Sequence, residues 1–268
     1  MNKLKLLAAA TALIMSTMIY VSAAPQPDEK SEVNADEVEY DMNTGTVNAN
    51  GNVVLKYSNG TATASSAMYN MNTQAAYLVG NVVVIRDNLK ITCDSLNNDG
   101  RGYMQADGNV YAEQKIAPTT ENPAGDVRTF TGEHVDYYPY DRKHVVIPNG
   151  GRTEGKDGTF TADHIEGWVD DAYYIGTGNA HIVSPPRNLE AGGDRVDYYA
   201  NDNGKAVLTG NAWAYQDNNT FRGNRLTVYL ADNKKKTASV NNVSPTENTE
   251  DNSTSADQPF DDSSAASN

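Results

Sequence analysis

Apolar and polar residues alternate with a period of two along most of this chain. Val38 and Tyr40 flank Glu39, and the segment 226–228 has the same pattern. Strict alternation is typical of a β-strand with one buried face, whereas the apolar face of a helix repeats every 3.6 residues. No stretch after residue 24 carries a convincing helical stripe. We therefore predict an all-β fold.

A Gly-Asn pair recurs along the chain, with its clearest copy in the stretch Tyr77–Ile85. Glycine and asparagine accept the positive φ of two-residue hairpin turns, so we interpret Gly80-Asn81 as a tight turn between two strands. The distance along the sequence between the third and fourth copies is much longer than between the others, and this interval contains a degenerate copy at 145–150. The glycines of the clear copies are Gly51, Gly80, Gly108, Gly178 and Gly210.

Each copy is preceded by a segment with one central apolar residue, and most of these residues lie about 30 residues apart. They occupy positions 38, 68, 96, 135, 165, 196 and 226. The interval between positions 96 and 135 is longer than the others and contains a segment rich in Pro and Gly, which predicts an insertion loop at 115–128. We therefore expect about seven stacked antiparallel hairpin repeats. Their apolar faces are thin, so the sheet is expected to curl until the inward faces meet along an elongated axis.

The alternation also predicts which side chains face inward. One interpretation of this face is an ordinary packed core, and the other is a partly open interior that holds alkyl chains. On the second interpretation the face is a lipid-binding surface. The predicted inward residues are Val38, Val53, Leu55, Met68, Val82, Val84, Leu96, Val110, Val135, Ile165, Val196 and Leu226.

The two ends of the chain differ from the repeats. Residues 1–24 combine Lys3 and Lys5 with an apolar run and small residues before Pro25, the pattern of a secretory signal cleaved near Ala23 or Ala24. A retained N-terminal anchor is the alternative. We expect a polar leader at 25–32, the repeat domain at 33–246 and a disordered acidic tail at 247–268, where acidic and small polar residues dominate.

Charge and cysteine content narrow the functional classes. The formal net charge is −14, and loss of the two signal-peptide lysines would make it more negative. Such a surface disfavours nucleic acid and anionic membranes, which are bound through Lys and Arg. Cys93 is the single cysteine, so no internal disulfide can form. Its strand-like setting indicates a small core residue.

Candidate catalytic and metal-binding residues give little support for an enzyme. His134 and His164 take the same place in their repeats and are expected to point outward. Asp and Glu recur in every repeat, as surface residues do, and the chain lacks the common nucleophile, phosphate-loop and zinc-protease motifs. We therefore expect no metal, no cofactor and no catalysis. The 16 tyrosines form clusters that indicate cross-strand packing or, alternatively, glycan binding.

The repeat unit resembles that of the OstA-like family. The resemblance covers about 33–246 and is carried by an Ala-Asp-x-Val-x-Tyr-Asp segment followed by Gly-Asn-Val, seen best at Ala35–Asp41 with Gly51–Val53 and also at Cys93–Leu96 with Gly108–Val110. It implies a twisted β-jelly roll splayed into an open V-shaped trough. It also implies a periplasmic protein that carries the acyl chains of lipopolysaccharide and stacks head to tail through edge strands. The insertion at 115–128, the degenerate copy at 145–150 and the strong acidity depart from this pattern.

Three hypotheses follow from the sequence. The first is a non-enzymatic periplasmic bridge for lipopolysaccharide or a related glycolipid, with export components of the inner and outer membranes as partners. The second is an exported structural or adhesive repeat protein that binds glycan or a protein partner. The third is a β-helix enzyme that degrades polysaccharide, which would need its acids gathered at one site.

Overall fold

The computed structural model describes residues 32–57, 60–118, 120, 123–202 and 204–230. The predicted signal, nearly all of the predicted leader and the predicted acidic tail lie outside these residues. No helix in this part of the chain has both the length and the apolarity to cross a membrane.

The described chain is all-β, which confirms the predicted fold class. Its sixteen strands form one antiparallel sheet, and a short 3₁₀ helix, Pro185–Arg187, lies between two of them. The strands are β1 (Glu32–Asn34), β2 (Glu37–Asp41), β3 (Thr46–Tyr57), β4 (Gly60–Asn70), β5 (Ala76–Arg86), β6 (Leu89–Asn98), β7 (Met104–Ile116), β8 (Asp126–Tyr138), β9 (His144–Ile147), β10 (Gly151–Gly155), β11 (Gly158–Ala162), β12 (His164–Trp168), β13 (Tyr173–Ser184), β14 (Leu189–Tyr199), β15 (Lys205–Gln216) and β16 (Asn219–Tyr229).

Neighbours in the sheet follow the order of the sequence. β1 and β2 both pair with β3, and each strand from β3 to β8 pairs with the next. In the middle of the sheet, β9 and β10 lie end to end beside β8 and together take the place of one long strand. In the same way, β11 and β12 lie end to end beside β13. The predicted insertion is shorter than expected, because β7 continues to Ile116 and β8 begins at Asp126. This order is that of stacked hairpins, as the repeats predict.

The Gly-Asn pairs do not form hairpin turns, so that prediction is wrong. Gly80 and Asn81 lie in the middle of the continuous strand β5, with φ values of 82° and 51°. The pairing of β5 with β6 shifts register between Val79 and Val82, which makes the pair a β-bulge. A bulge inserts an unpaired residue and bends its strand. Positive φ suits both a turn and a bulge, so the dipeptide alone cannot distinguish them.

An aspartate from the neighbouring strand or its flank fixes four of these bulges. Asn211 Nδ2 donates to both carboxylate oxygens of Asp194, at 3.0 and 3.2 Å. Asn52 Nδ2 donates to one carboxylate oxygen of Asp36 at 2.8 Å. Each aspartate also lies against the α-carbon of the bulge glycine, where a side chain would collide with it. The remaining two clips join Asn109 to Asp94 and Asn179 to Asp163.

The bulges lie side by side and crease the sheet across its strands. Register shifts occur at this line in β3–β4, β4–β5, β5–β6, β6–β7, β7–β8, β13–β14, β14–β15 and β15–β16. Alternate side chains on both sides of the crease are buried, although a single sheet covers neither of its own faces. The two halves therefore cover each other. Contacts across the crease, such as Ile165 against Gly151, agree with this arrangement.

Candidate functional site

The interior between the two halves of the sheet is lined by two rows of side chains. Inner row A crosses one half from β2 to β16, one residue per strand. Its residues are mostly buried aliphatic or small side chains. They are Val38, Ala49, Ala67, Leu78, Leu96, Ala106, Val135, Ile147, Ile165, Gly176, Val196, Leu208 and Leu226.

Inner row B crosses the other half from β1 to β16. It consists of Val33, Leu55, Ala62, Val84, Ile91, Ala112, Phe130, Thr153, Phe160, Ile182, Ala191, Ala214 and Phe221. Between the two rows, the residue after each Gly-Asn bulge also points inward. Val53, Val82 and Val110 hold this place and are buried. The lining is therefore continuous from one half to the other.

Eleven of the twelve sequence-predicted residues lie on this inner surface, although their burial differs. Val53, Val82, Val84, Leu96, Val110, Val135, Ile165 and Val196 are buried. Leu55 and Leu226 are partly buried, and Val38 is 49% exposed. These three lie near the ends of the strand order, where β2 and β16 have no second neighbour among the described residues. Whether any of them binds lipid stays a prediction.

Met68 is the exception, and the structure corrects it to Ala67. Ala67 is buried between Ala49 and Leu78, whereas Met68 is 50% exposed and faces Asn48 and Tyr77 on the outer surface. Aligning the repeats by their most apolar residue selects methionine over alanine. Register sets which side chain points inward, because neighbouring residues on a strand face opposite sides. The inward residue of a strand is therefore set by register and can be a small one such as Ala67.

The sequence analysis also missed the two central phenylalanines of row B. Phe130 is buried in row B, and Phe160 packs against the core two strands away. The repeat alignment selects one central residue per repeat, Val135 and Ile165 in this region, and both of these lie in row A on the other side of the crease. The position of the two phenylalanines two residues before Gly132 or Ala162, which line the crease, is the signal that could have identified them.

A cluster of buried polar groups lies at one margin of the centre of the interior. Arg128 Nε donates to Asp126 at 2.9 Å, and both side chains are buried. Ser184 Oγ donates to the backbone carbonyl of Asp157 at 2.7 Å. Burial raises the pKa of the Asp157 carboxyl, partly offset by Lys156 and Arg187. These groups lie at the strand ends far from the crease and close that margin of the central strands.

An outer aromatic row covers the opposite face of the trailing strands. Neighbouring ring centroids in it are 5.7, 4.5, 5.7 and 4.8 Å apart, and their planes lie within 25° of one another. Such stacking is the ordinary cross-strand packing of aromatic residues. A sugar that stacks on an aromatic side chain needs an open ring face, and the inner rings of this row cover one another. The row consists of Tyr138, His144, Trp168, Tyr173 and Tyr199.

All four histidines contact carboxylates on the outer surface. His134 Nδ1 bonds Asp107, and its Nε2 lies 3.0 Å from Asp136. Burial lowers the pKa of His134, but hydrogen bonds to both carboxylates outweigh it and the net pKa is raised. His144 and His164 share Glu166. Within the described residues, no group of three or more His, Cys, Asp or Glu side chains is arranged to hold a metal ion.

Cys93 faces the interior and is buried. Burial, with smaller contributions from Asp94 and Asp107, raises the pKa of its thiol to about 12. A thiol with this pKa holds almost no thiolate near neutral pH and is a poor nucleophile. The environment of Cys93 agrees with the expectation of a small core residue.

Comparison with known proteins supports the resemblance found in the sequence. Residues 171–234 match the model of a family described as LptA/(LptD N-terminal domain) LPS transport protein, which confirms the resemblance over β13–β16. A solved structure is also similar: the crystal structure of LptH, described as the LptA homologous periplasmic component of the conserved lipopolysaccharide transport device from Pseudomonas aeruginosa. The two share 19% sequence identity over 56% of this chain and 82% of that chain, with a TM-score of 0.34. No curated protein matched the sequence.

Proposed function

From the match of residues 171–234 to a lipopolysaccharide-transport family, we propose that this protein is a periplasmic carrier that shields acyl chains of lipopolysaccharide or a related glycolipid. The observation that carries the proposal is the continuous apolar lining between the two halves of the sheet. The binding residues would be the inward residues of the sequence prediction, with Ala67 in place of Met68. The role is non-enzymatic, because shielding breaks and forms no covalent bond.

Burial of alkyl chains supplies enough free energy for such a carrier. Each methylene moved from water to an apolar surface contributes about 0.8 kcal/mol. Several methylenes therefore bind without any charged contact. The strong negative charge of the chain disfavours anionic head groups, so recognition rests on the interior. In the middle of the sheet the lining is closely packed, so chains bind where the lining is exposed or after it opens.

Two edge strands offer docking sites for other export components or for a second copy of this chain. Among the described residues β16 pairs only with β15, and β2 only with β3. An unpaired strand edge binds a further strand through its backbone groups. The edges differ in charge: β16 carries Arg222 and Arg225 without an acid, whereas β1 and β2 carry four acids without a base. Head-to-tail pairing of β16 with the β1–β2 edge would place opposite charges together.

The domain organisation and location belong to the same proposal. Residues 1–24 would direct export and be removed near Ala23 or Ala24, and 25–32 would link the signal to the repeat domain. The repeat domain at 33–246 would work in the periplasm between the two membranes. The acidic tail, 247–268, would add a soluble, negatively charged end.

Photocrosslinking at neighbouring inward and outward positions tests the cargo. A photoreactive amino acid replaces Leu226, which faces inward, or Thr227, which faces outward on the same strand. Val38 and Glu39 provide the same pair at the other end of the sheet. With purified lipopolysaccharide we expect adducts at positions 226 and 38 and none at 227 and 39. Equal labelling of both members of each pair would contradict an interior site.

Charge reversal tests the edge contact. We expect Arg222→Glu with Arg225→Glu to weaken self-association measured by analytical ultracentrifugation, because like charges would face each other across the new strand pair. Arg152→Glu is the matched control, since Arg152 lies on β10 in the middle of the sheet. Adding Glu37→Arg and Glu39→Arg on a second copy should restore mixed association. Unchanged association in the β16 variant would contradict this contact.

A further inference from the structure

The size of the lining residues changes along inner row B. On the leading strands the row contains small or medium side chains, ending with Ala112 on β7. Phe130 and Phe160 follow on β8 and β11, separated by Thr153 on β10. Beyond β13 the row returns to alanine at Ala191 and Ala214. Phe221 ends the row on the terminal strand β16, where it is exposed, so the bulkiest packed part of the row is its centre.

Glycines make room for the two aromatic rings, Gly176 on the opposite half of the sheet and Gly132 on the strand of Phe130 itself. A β-carbon on Gly176 would overlap the Phe160 ring and would lie 3.1 Å from the Ala162 β-carbon. A β-carbon on Gly132 would lie 2.9 Å from Phe130 Cζ. Glycine thus allows both rings to pack against backbone. Phe130 is buried and Phe160 is partly buried in this packing, so the two rings occupy the centre of the interior.

Aliphatic side chains close the rest of this central section. Ile147 and Ile165 on row A approach Gly151 from the other half, within 3.2 and 3.0 Å of a β-carbon built there. Both isoleucines are fully buried. The buried pair Arg128–Asp126 closes the margin of the same strands. A chain that crossed the centre would have to displace packed side chains, which protein interiors resist because they are as dense as organic crystals.

Both ends of the interior are more open than its centre. At the leading end Val38 and Tyr40 are about half exposed, and Leu55 is only partly buried. At the trailing end Phe221 is 51% exposed, and Leu226 and Val228 are partly buried. Apolar lining is thus accessible beside each terminal strand. The family match covers β13–β16 and so lies on the trailing side of the filled centre.

We propose that Phe130 and Phe160 form a central block that divides the interior into two alkyl-chain compartments, each entered from its own end of the sheet. This inference rests on the proposed function and makes it more specific. An acyl chain occupies the leading or the trailing compartment and stops at the block. Passage of one chain through the whole interior requires both rings to move. The two phenylalanines are therefore specificity-determining residues that limit how deep a chain penetrates.

Mapping a photoreactive chain tests the block in the full-length protein. The probe is a saturated fatty acid with a diazirine near its terminal methyl group, and the labelled peptides are identified by mass spectrometry. For the native protein we expect label on β1–β4 and β14–β16 and none on β8–β12. For the Phe130→Ala, Phe160→Ala variant we expect label to spread into β8–β12. Phe221→Ala, which removes an exposed phenylalanine at the trailing end, is the matched control and should leave β8–β12 unlabelled.

The outcomes separate the block from the proposed function. Label on β8–β12 of the native protein would overturn the block while leaving the carrier function in place. Absence of label from the inward residues of every protein would overturn the carrier function itself. If the double alanine variant fails to fold by circular dichroism, Phe160→Leu replaces it. Absence of label from β8–β12 in every folded variant would also overturn the block.

Discussion

The close approach of Phe160 to Gly176 gives a prediction that depends on one methyl group. Gly176 lies in β13 without a left-handed φ, so alanine is compatible with its backbone. Its position is buried, however, and the added β-carbon would overlap the Phe160 ring and touch Ala162. Gly176→Ala should therefore destabilise the protein by overpacking.

The expected cost is the difference between two effects. Overpacking a dense core costs up to about 3 kcal/mol, and the overlap with an aromatic ring favours the upper part of that range. Replacing glycine by alanine within a strand returns about 0.5–1 kcal/mol of backbone entropy. The net loss is then about 2 kcal/mol. With a urea dependence of about 2 kcal/mol/M, the unfolding midpoint should fall by about 1 M.

A double-mutant cycle identifies the contact as the cause. Phe160→Ala removes the ring, so adding Gly176→Ala to that variant should cost nothing or stabilise it slightly. Gly223→Ala is the matched control, because a β-carbon there meets its nearest atom at 3.5 Å. We expect this control to be neutral or slightly stabilising. Additive effects of the two substitutions, or a Gly176→Ala midpoint equal to that of the control, would refute the proposed packing of the two halves.

Three further predictions concern the clips, the outer surface and the cysteine. Asp194→Ala should lower the free energy of unfolding, measured in urea, by about 1 kcal/mol. Adding Asn211→Ala to this variant should lower it little further, because both substitutions remove the same hydrogen bonds. Because the pKa of His134 is raised in the folded protein, its contacts with Asp107 and Asp136 stabilise the fold fully below pH 6.5, the ordinary pKa of histidine. This stabilisation is lost as the pH rises through the raised pKa of the folded state. His134→Gln should therefore lower the urea midpoint more at acidic than at alkaline pH, and an equal loss at both would contradict this. Cys93 should resist iodoacetamide at pH 8 in the folded protein and react once urea unfolds it, since burial raises its thiol pKa to about 12; rapid labelling of the native protein would contradict its buried position.

Period-two alternation was enough to predict the fold class, because it depends only on one buried face per strand. The repeat spacing also predicted consecutive antiparallel pairing. It could not distinguish a turn from a bulge at Gly80-Asn81, since both need the same backbone conformation. At the four clipped bulges the distinguishing signal is an aspartate 15 to 17 residues before the asparagine. At Gly80 a serine takes this place, and Ser65 Oγ donates to the Gly80 carbonyl at 3.1 Å.

The candidate site was predictable where valine or leucine marks the inner rows. Val82, Val84 and Leu96 follow from alternation alone. Met68 was misassigned because the residue that faces inward there is the less apolar Ala67. The central rings were not found, since the repeat alignment selects Val135 and Ile165 in row A, whereas Phe130 and Phe160 lie in row B across the crease. Side-chain size in the interior depends on the distance between the two halves, which is a property of the fold.

The clips separate the shape of the protein from the chemistry of its interior. Asp, Gly and Asn bend four of the strands from the water-facing side, and none of them contributes to the apolar lining. Substitutions among the lining residues can therefore alter the width or depth of the cavity without straightening the sheet. Under the proposed carrier function, such a chain could accept a different cargo through changes of side chains alone, while its curvature would still come from a few polar residues on its surface.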